Sequence, residues 1–152
     1  MFDWFKRERP PADVAAPLVG LVLGSMPSGA PFDGVDATAF RLRMACATAF
    51  AVDFAMYNAL GDTSRKQAIA EAFWSLLTQE QFAGSDVAAE AMRSIPRFAT
   101  AISNPGPKGF SYEVGKVVAE DCGAKDDPRV ILLGARMFVT VLGEAKKMLA
   151  AK

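Results

Sequence analysis

Residues 36–61, DATAFRLRMACATAFAVDFAMYNALG, decide the fold. Asp36 is a suitable N-cap, and Gly61 supplies the residue type that commonly ends a helix in a left-handed conformation. Apolar side chains would lie on every side of the helix between them, which is typical of a helix enclosed by its neighbours. The stretch therefore predicts the central helix of an all-α protein.

Start and stop signals divide the rest of the chain into further helices. A helix that follows Gly61 and runs to Gly84 would pair with the first one, so residues 36–82 are expected to form a helical hairpin. The segment Asp13–Leu23 is assigned to helix, although Pro17 and its Val and Leu content also allow an extended segment. The predicted N-caps are one of Asp62, Thr63 and Ser64 for the second helix of the hairpin, Ser85 or Asp86 for the next, Ser111 for a short helix to Cys122, and Asp127 before Pro128 for the last.

These segments fit one compact domain. A chain of 152 residues buries roughly 70% of its unfolded surface and needs neither disulfides nor metal to fold. We predict an all-α bundle of five or six helices over residues 13–152, preceded by a short aromatic and basic tip, residues 1–12. The tip ends at Pro10 and Pro11, where a continued helix is disfavoured.

Charge and cysteine content limit the classes of partner and compartment. Lys and Arg together number 17, as do Asp and Glu, so the basic excess that attracts proteins to nucleic acid is missing and we expect no nucleic-acid partner. Cys46 and Cys122 form no CxxC pair, which favours two reduced core thiols in a cytoplasmic protein. The longest hydrophobic stretch, Met44–Leu60, is shorter than the roughly 20 residues of a membrane span and contains Asp53.

Histidine is absent from the sequence. Serine and cysteine hydrolase sites and most zinc or di-iron sites need it, and two separated cysteines do not complete a four-thiolate site. Motifs of phosphate-binding glycine loops and of calcium-binding loops are absent as well. We therefore expect no metal, no cofactor and no catalytic residue, and a non-enzymatic function is favoured.

Asp53 is the charged residue that is hardest to place on the surface. It lies in the apolar centre of the helix that begins after Asp36, and Tyr57 follows one turn later on the same face. A partly buried carboxylate is expected to find an arginine, a lysine, a tyrosine or capping N–H groups. One structural hydrogen bond or ion pair is the simpler interpretation, and a polar site in a pocket is the alternative.

Aromatic residues outside the predicted core are the candidates for partner binding. Trp74 and Phe82 point away from the apolar face of their helix, so either a neighbouring helix covers them or they are exposed. In the tip, Phe2, Trp4 and Phe5 lie beside Lys6, Arg7 and Arg9. That combination could dock on a protein partner, on a second copy of the chain, on its own domain or, less favoured, on a membrane surface.

Three functions remain open on these grounds. The first is a protein-interaction or regulatory module that binds through Phe2, Trp4, Phe5 and Trp74. The second is a bundle that holds a small apolar ligand, because seven methionines and eleven phenylalanines could line a cavity. The third and least favoured is an enzyme of unfamiliar design that uses Asp53 and Tyr57. We expect the first.

Overall fold

The computed structural model describes residues 8–26, 32–82 and 84–150, which form an all-α bundle with one minimal pair of strands. The predicted fold class is confirmed, with six helices in the described residues. In chain order the elements are α1 (Pro11–Gly24), α2 (Ala37–Leu60), α3 (Ser64–Leu77), β1 (Gln81–Phe82), β2 (Ser85–Asp86), α4 (Val87–Ser103), α5 (Phe110–Asp121) and α6 (Pro128–Ala150).

Helix α2 is the centre of the bundle, as its composition predicts. The Asp36 side chain accepts a hydrogen bond from the Ala39 N–H at 2.8 Å, and Gly61 ends the helix at φ 65°. Every residue from Met44 to Val52 is buried. The one hydroxyl in that run, on Thr48, donates a hydrogen bond to the Met44 carbonyl at 3.0 Å, which satisfies it inside the core.

The other helices surround α2 in two groups. Helices α4, α5 and α6 pack against α2, and α5 also packs against both α4 and α6, whereas α1 packs mainly against α3 and also touches α2 and α6. The ring of Phe50 on α2 lies 5.4 Å from that of Phe98 and 6.1 Å from that of Phe138. One stack of aromatic rings therefore joins α2, α4 and α6.

Helices α5 and α6 cross with no side chain between their backbones. Gly115 and Gly134 are both buried at the crossing. A Cβ added to Gly134 would lie 3.2 Å from the Cα of Gly115, and one added to Gly115 would lie 3.0 Å from the carbonyl carbon of Ile131. Only glycine at position 115 allows this approach, because any larger residue would collide with main-chain atoms.

Three predicted boundaries are wrong. Helix α3 ends at Leu77 rather than Gly84, because residues 81–82 pair antiparallel with residues 85–86 around a turn at Gly84, whose φ is 81°. Helix α5 begins at Phe110 after Gly109, so Ser111 is inside the helix and does not cap it. Helix α1 begins at Pro11, two residues before the start of the predicted helix Asp13–Leu23, because proline is well tolerated in the first turn.

Candidate functional site

Asp53 and Trp74, which the sequence suggests as candidates for two separate sites, are in contact in the structure. The indole Nε1–H of Trp74, a predicted partner-binding residue on α3, donates a hydrogen bond to Oδ1 of Asp53 on α2 at 3.3 Å. The expected partners of Asp53 were an arginine, a lysine, a tyrosine or capping N–H groups, and a tryptophan was not among them. We call Asp53, Tyr57 and Trp74 the α2–α3 cluster.

Trp74 has a fixed position at the edge of the core. Its neighbour Phe73 is fully buried, and the two rings meet edge to face with centroids 5.1 Å apart. The indole itself is half-buried and packs against the core, so part of the ring is covered and the rest is accessible. Trp74 is thus neither a core residue nor a freely exposed anchor.

Tyr57 is the open part of the cluster. It lies one helical turn after Asp53, which is half-buried, and 57% of its own surface is exposed. An aromatic ring with this exposure beside a partly desolvated carboxylate offers apolar contact area and a hydrogen-bond acceptor together. Interfaces between proteins commonly use that combination.

Glu8, the first described residue, lies at the end of the bundle where Tyr57 lies. Tyr57 is in the last turn of α2, and Arg65, in the first turn of α3, lies 3.7 Å from the carboxylate of Glu8. The Arg9 guanidinium donates a hydrogen bond to the main-chain carbonyl of Asp13 at 3.0 Å, which holds the Arg9 side chain against the first turn of α1. The predicted binding residues of the tip, Phe2, Trp4 and Phe5, lie outside the described residues.

Two arginines near the start of α2 make contacts that the sequence did not reveal. Arg43 forms an ion pair with Glu90 of α4 at 3.2 Å. The guanidinium of Arg41 lies 4.4 Å from the ring centre of Phe82, while its buried Nε has no hydrogen-bond partner in the described part of the chain. Phe82, a candidate for an exposed aromatic, is therefore half-buried under an arginine.

A groove of about 250 Å³ runs between α4 and α5. Its walls are largely polar, and its charged side chains pair with each other: Arg97 with Glu120 at 3.4 Å, and Lys116 with Glu113 at 3.4 Å. The lining residues are Arg97, Thr100, Ala101, Asn104, Glu113, Lys116, Val117 and Glu120. This composition does not suit a small apolar ligand.

The two cysteines are buried and are not joined in a disulfide. Burial raises the pKa of the Cys46 thiol to about 11, against the opposing effect of the nearby Arg43 guanidinium. Burial also raises the pKa of Cys122. Both thiols are therefore protonated at neutral pH and poor nucleophiles.

The described residues contain no group of three metal-ligating side chains of the His, Cys, Asp or Glu type. Nor does any helix in the described ranges combine the length and hydropathy that crossing a membrane requires. Comparison with protein-family models, with curated proteins and with solved structures finds no match to this chain.

Proposed function

We propose that this chain is a non-enzymatic protein-interaction module that binds its partner with the tip and the α2–α3 cluster. The observation that carries the proposal is the 57% exposure of Tyr57 beside the Trp74–Asp53 hydrogen bond. Glu8, the first described residue, lies at the same end of the bundle through its ion pair with Arg65, and we assign Phe2, Trp4 and Phe5, which precede it in the sequence, to the same partner. Tryptophan and tyrosine supply large, partly polar contact surfaces and are frequent binding hot spots.

The chemistry of the cluster supports binding rather than catalysis. The hydrogen-bond partner of Asp53 is an indole N–H, which neither gains nor loses a proton near neutral pH. Asp53 and Trp74 therefore do not form an acid–base couple of the kind that general acid–base catalysis uses. The pair is suited to hold the indole ring in a fixed orientation.

The apolar-ligand alternative has less support. Two methionines and four phenylalanines are fully buried in the hydrophobic core: Met44, Met56, Phe40, Phe73, Phe98 and Phe138. The groove between α4 and α5 has charged walls. This groove lacks the two properties that such a ligand needs, an enclosed interior and an apolar lining.

We also propose that the protein works in a reducing compartment, and we favour the cytoplasm. Cys46 and Cys122 are both buried as free thiols. Secreted domains commonly pair such residues in disulfides, whereas intracellular proteins retain them as small core side chains.

The test is affinity capture from a native lysate with four baits. They are the full chain, a version without residues 1–7, a Tyr57→Ala variant and a Met92→Ala control. Met92 is 46% exposed on α4 and lies outside the cluster, so its truncation controls for loss of an exposed apolar side chain.

The proposal predicts a stoichiometric protein partner that the full chain and Met92→Ala retain equally. Loss of residues 1–7 should abolish capture, and Tyr57→Ala should lower it at least tenfold. Matching thermal unfolding curves would show that every bait is folded. If the full chain enriches no protein, or if all four baits enrich the same one equally, the proposed function is wrong.

A further inference from the structure

Asp53 differs from most of the half-buried carboxylates in the bundle. Four others meet a cation: Glu90 pairs with Arg43, Glu113 with Lys116, Asp121 with Arg97 and Asp127 with Arg129. Asp53 pairs with no lysine or arginine of the described residues, and it receives only the Trp74 indole. A carboxylate has about four acceptor positions, so most of its capacity is open.

The groups around Asp53 match a planar cation. The exposed ring of Tyr57 lies one turn away, and the Trp74 ring is held against the fully buried Phe73. Aromatic faces attract arginine through the ring quadrupole, and a carboxylate accepts two parallel hydrogen bonds from a guanidinium. Both kinds of attraction are available at one place.

The rest of the molecule already uses arginine on aromatic rings. Arg41 lies 4.4 Å from the ring centre of Phe82, and Arg129 lies 4.9 Å from that of Phe32 while it also pairs with Asp127 at 2.8 Å. The Arg129 contact combines an aromatic ring, a carboxylate and a guanidinium. The α2–α3 cluster has the first two of these groups, and no described residue supplies the third.

We infer that the α2–α3 cluster binds an arginine side chain of a protein partner. The guanidinium pairs with the open oxygen of Asp53, and its face rests on the ring of Tyr57. Arginine suits the site better than lysine, because its planar fork can bond a carboxylate and stack on a ring at the same time. This inference rests on the proposed function and specifies the partner chemistry at that site.

The probe is a capped peptide, acetyl-Gly-Leu-Arg-Arg-Leu-Gly-amide, titrated into the full chain. The readout is the indole N–H signal of Trp74 in a ¹⁵N-tryptophan NMR spectrum, and a Trp4→Phe variant assigns the two tryptophan signals. A peptide with citrulline in place of arginine keeps the shape and removes the charge. A peptide with glutamate in place of arginine reverses the charge.

The arginine peptide should cause saturable shifts of the Trp74 signal. The citrulline peptide should bind at least tenfold more weakly, and the glutamate peptide should not bind. Asp53→Asn keeps the hydrogen-bond acceptor for Trp74 and should weaken arginine binding at least tenfold. Asp126→Asn, the same change at an exposed carboxylate in the loop between α5 and α6, should leave it unchanged. Higher salt should weaken binding, because the pair lies near the surface.

The inference is overturned if Asp53→Asn binds the arginine peptide as tightly as the natural chain, if citrulline binds equally, or if no peptide shifts the Trp74 signal. It is also overturned if the peptide binds only after residues 1–7 are removed, since Lys6 or Arg7 of the same chain would then hold the site. Self-association that depends on Asp53 would likewise assign the site to a second copy.

Adding Asp53→Asn as a fifth bait to the capture experiment separates this inference from the proposed function. A partner that requires residues 1–7 but binds Asp53→Asn normally would leave the interaction module standing and remove the arginine site. If the arginine peptide binds but no partner is captured, the arginine site stands and the proposed interaction module is wrong.

Discussion

Replacing Gly115 with alanine should destabilise the bundle, although the same change stabilises most helices. In an ordinary helix interior, alanine is about 1 kcal/mol better than glycine. Here the new Cβ would lie 3.0 Å from the carbonyl carbon of Ile131 and 3.1 Å from the amide nitrogen of Ala135. Carbon atoms in ordinary contact are about 3.5–4.0 Å apart, so α5 and α6 would have to separate.

Overpacking of this kind costs about 1–3 kcal/mol and occasionally more. Main-chain atoms cannot rotate away as a flexible side chain does, so we take the upper end of that range. After the helix-propensity gain, we expect Gly115→Ala to lower the free energy of unfolding by about 2 kcal/mol. For a domain of this size, that corresponds to a fall in Tm of about 4–8 °C.

Thermal and urea unfolding, followed by circular dichroism, would measure the effect against a matched control. Gly143 lies on the exposed face of α6, and a Cβ added there has nothing within 4 Å. Gly143→Ala should therefore raise stability by about 0.5–1 kcal/mol. A Gly115→Ala protein that melts at or above the natural chain would refute the close crossing of α5 and α6.

Two further predictions concern buried polar groups of α2. Burial raises the pKa of Cys46 from 9.0 to about 11, so the unfolded chain releases this proton at a lower pH than the folded chain does. The free energy of unfolding should therefore fall between about pH 9 and 11, by up to roughly 1.4 kcal/mol per pH unit. Urea titrations at several pH values should show that Cys46→Ala loses this part of the pH dependence. Thr48→Val preserves the side-chain shape but removes a buried hydroxyl that donates to the Met44 carbonyl and lies 3.0 Å from Ser25 Oγ. It should lower the free energy of unfolding by about 1 kcal/mol in chemical denaturation. An unchanged denaturation midpoint would contradict a stabilising role for the hydroxyl.

Local signals explain why much of the fold is predictable. Asp36 and Gly61 bound α2, and Asp127 before Pro128 starts α6, because capping depends on residues within one turn. The end of α3 depends instead on pairing between two-residue strands across Gly84. Such a short pair has no periodic pattern that a sequence can display.

The candidate site was predictable only in its parts. Asp53 stands out because of its apolar surroundings, and Trp74 because it lies off the buried face of α3. Their contact depends on how α2 and α3 cross, which neither helix specifies alone. The arginine–aromatic contact of Arg41 with Phe82 is hidden for the same reason, since it joins a helix to a strand about forty residues later.

The packing of α1 has a consequence for synthesis of the chain. Val14, Leu18 and Val22 are buried where α1 meets α3, α2 and α6, yet the last residue of α6, Ala150, follows Leu18 by 132 residues. At ribosomal rates of about 5–20 residues per second, that interval is on the order of 10 s. During translation, α1 therefore emerges well before α6, and the part of its apolar face that α6 covers stays open to aggregation or to chaperones until α6 has been made.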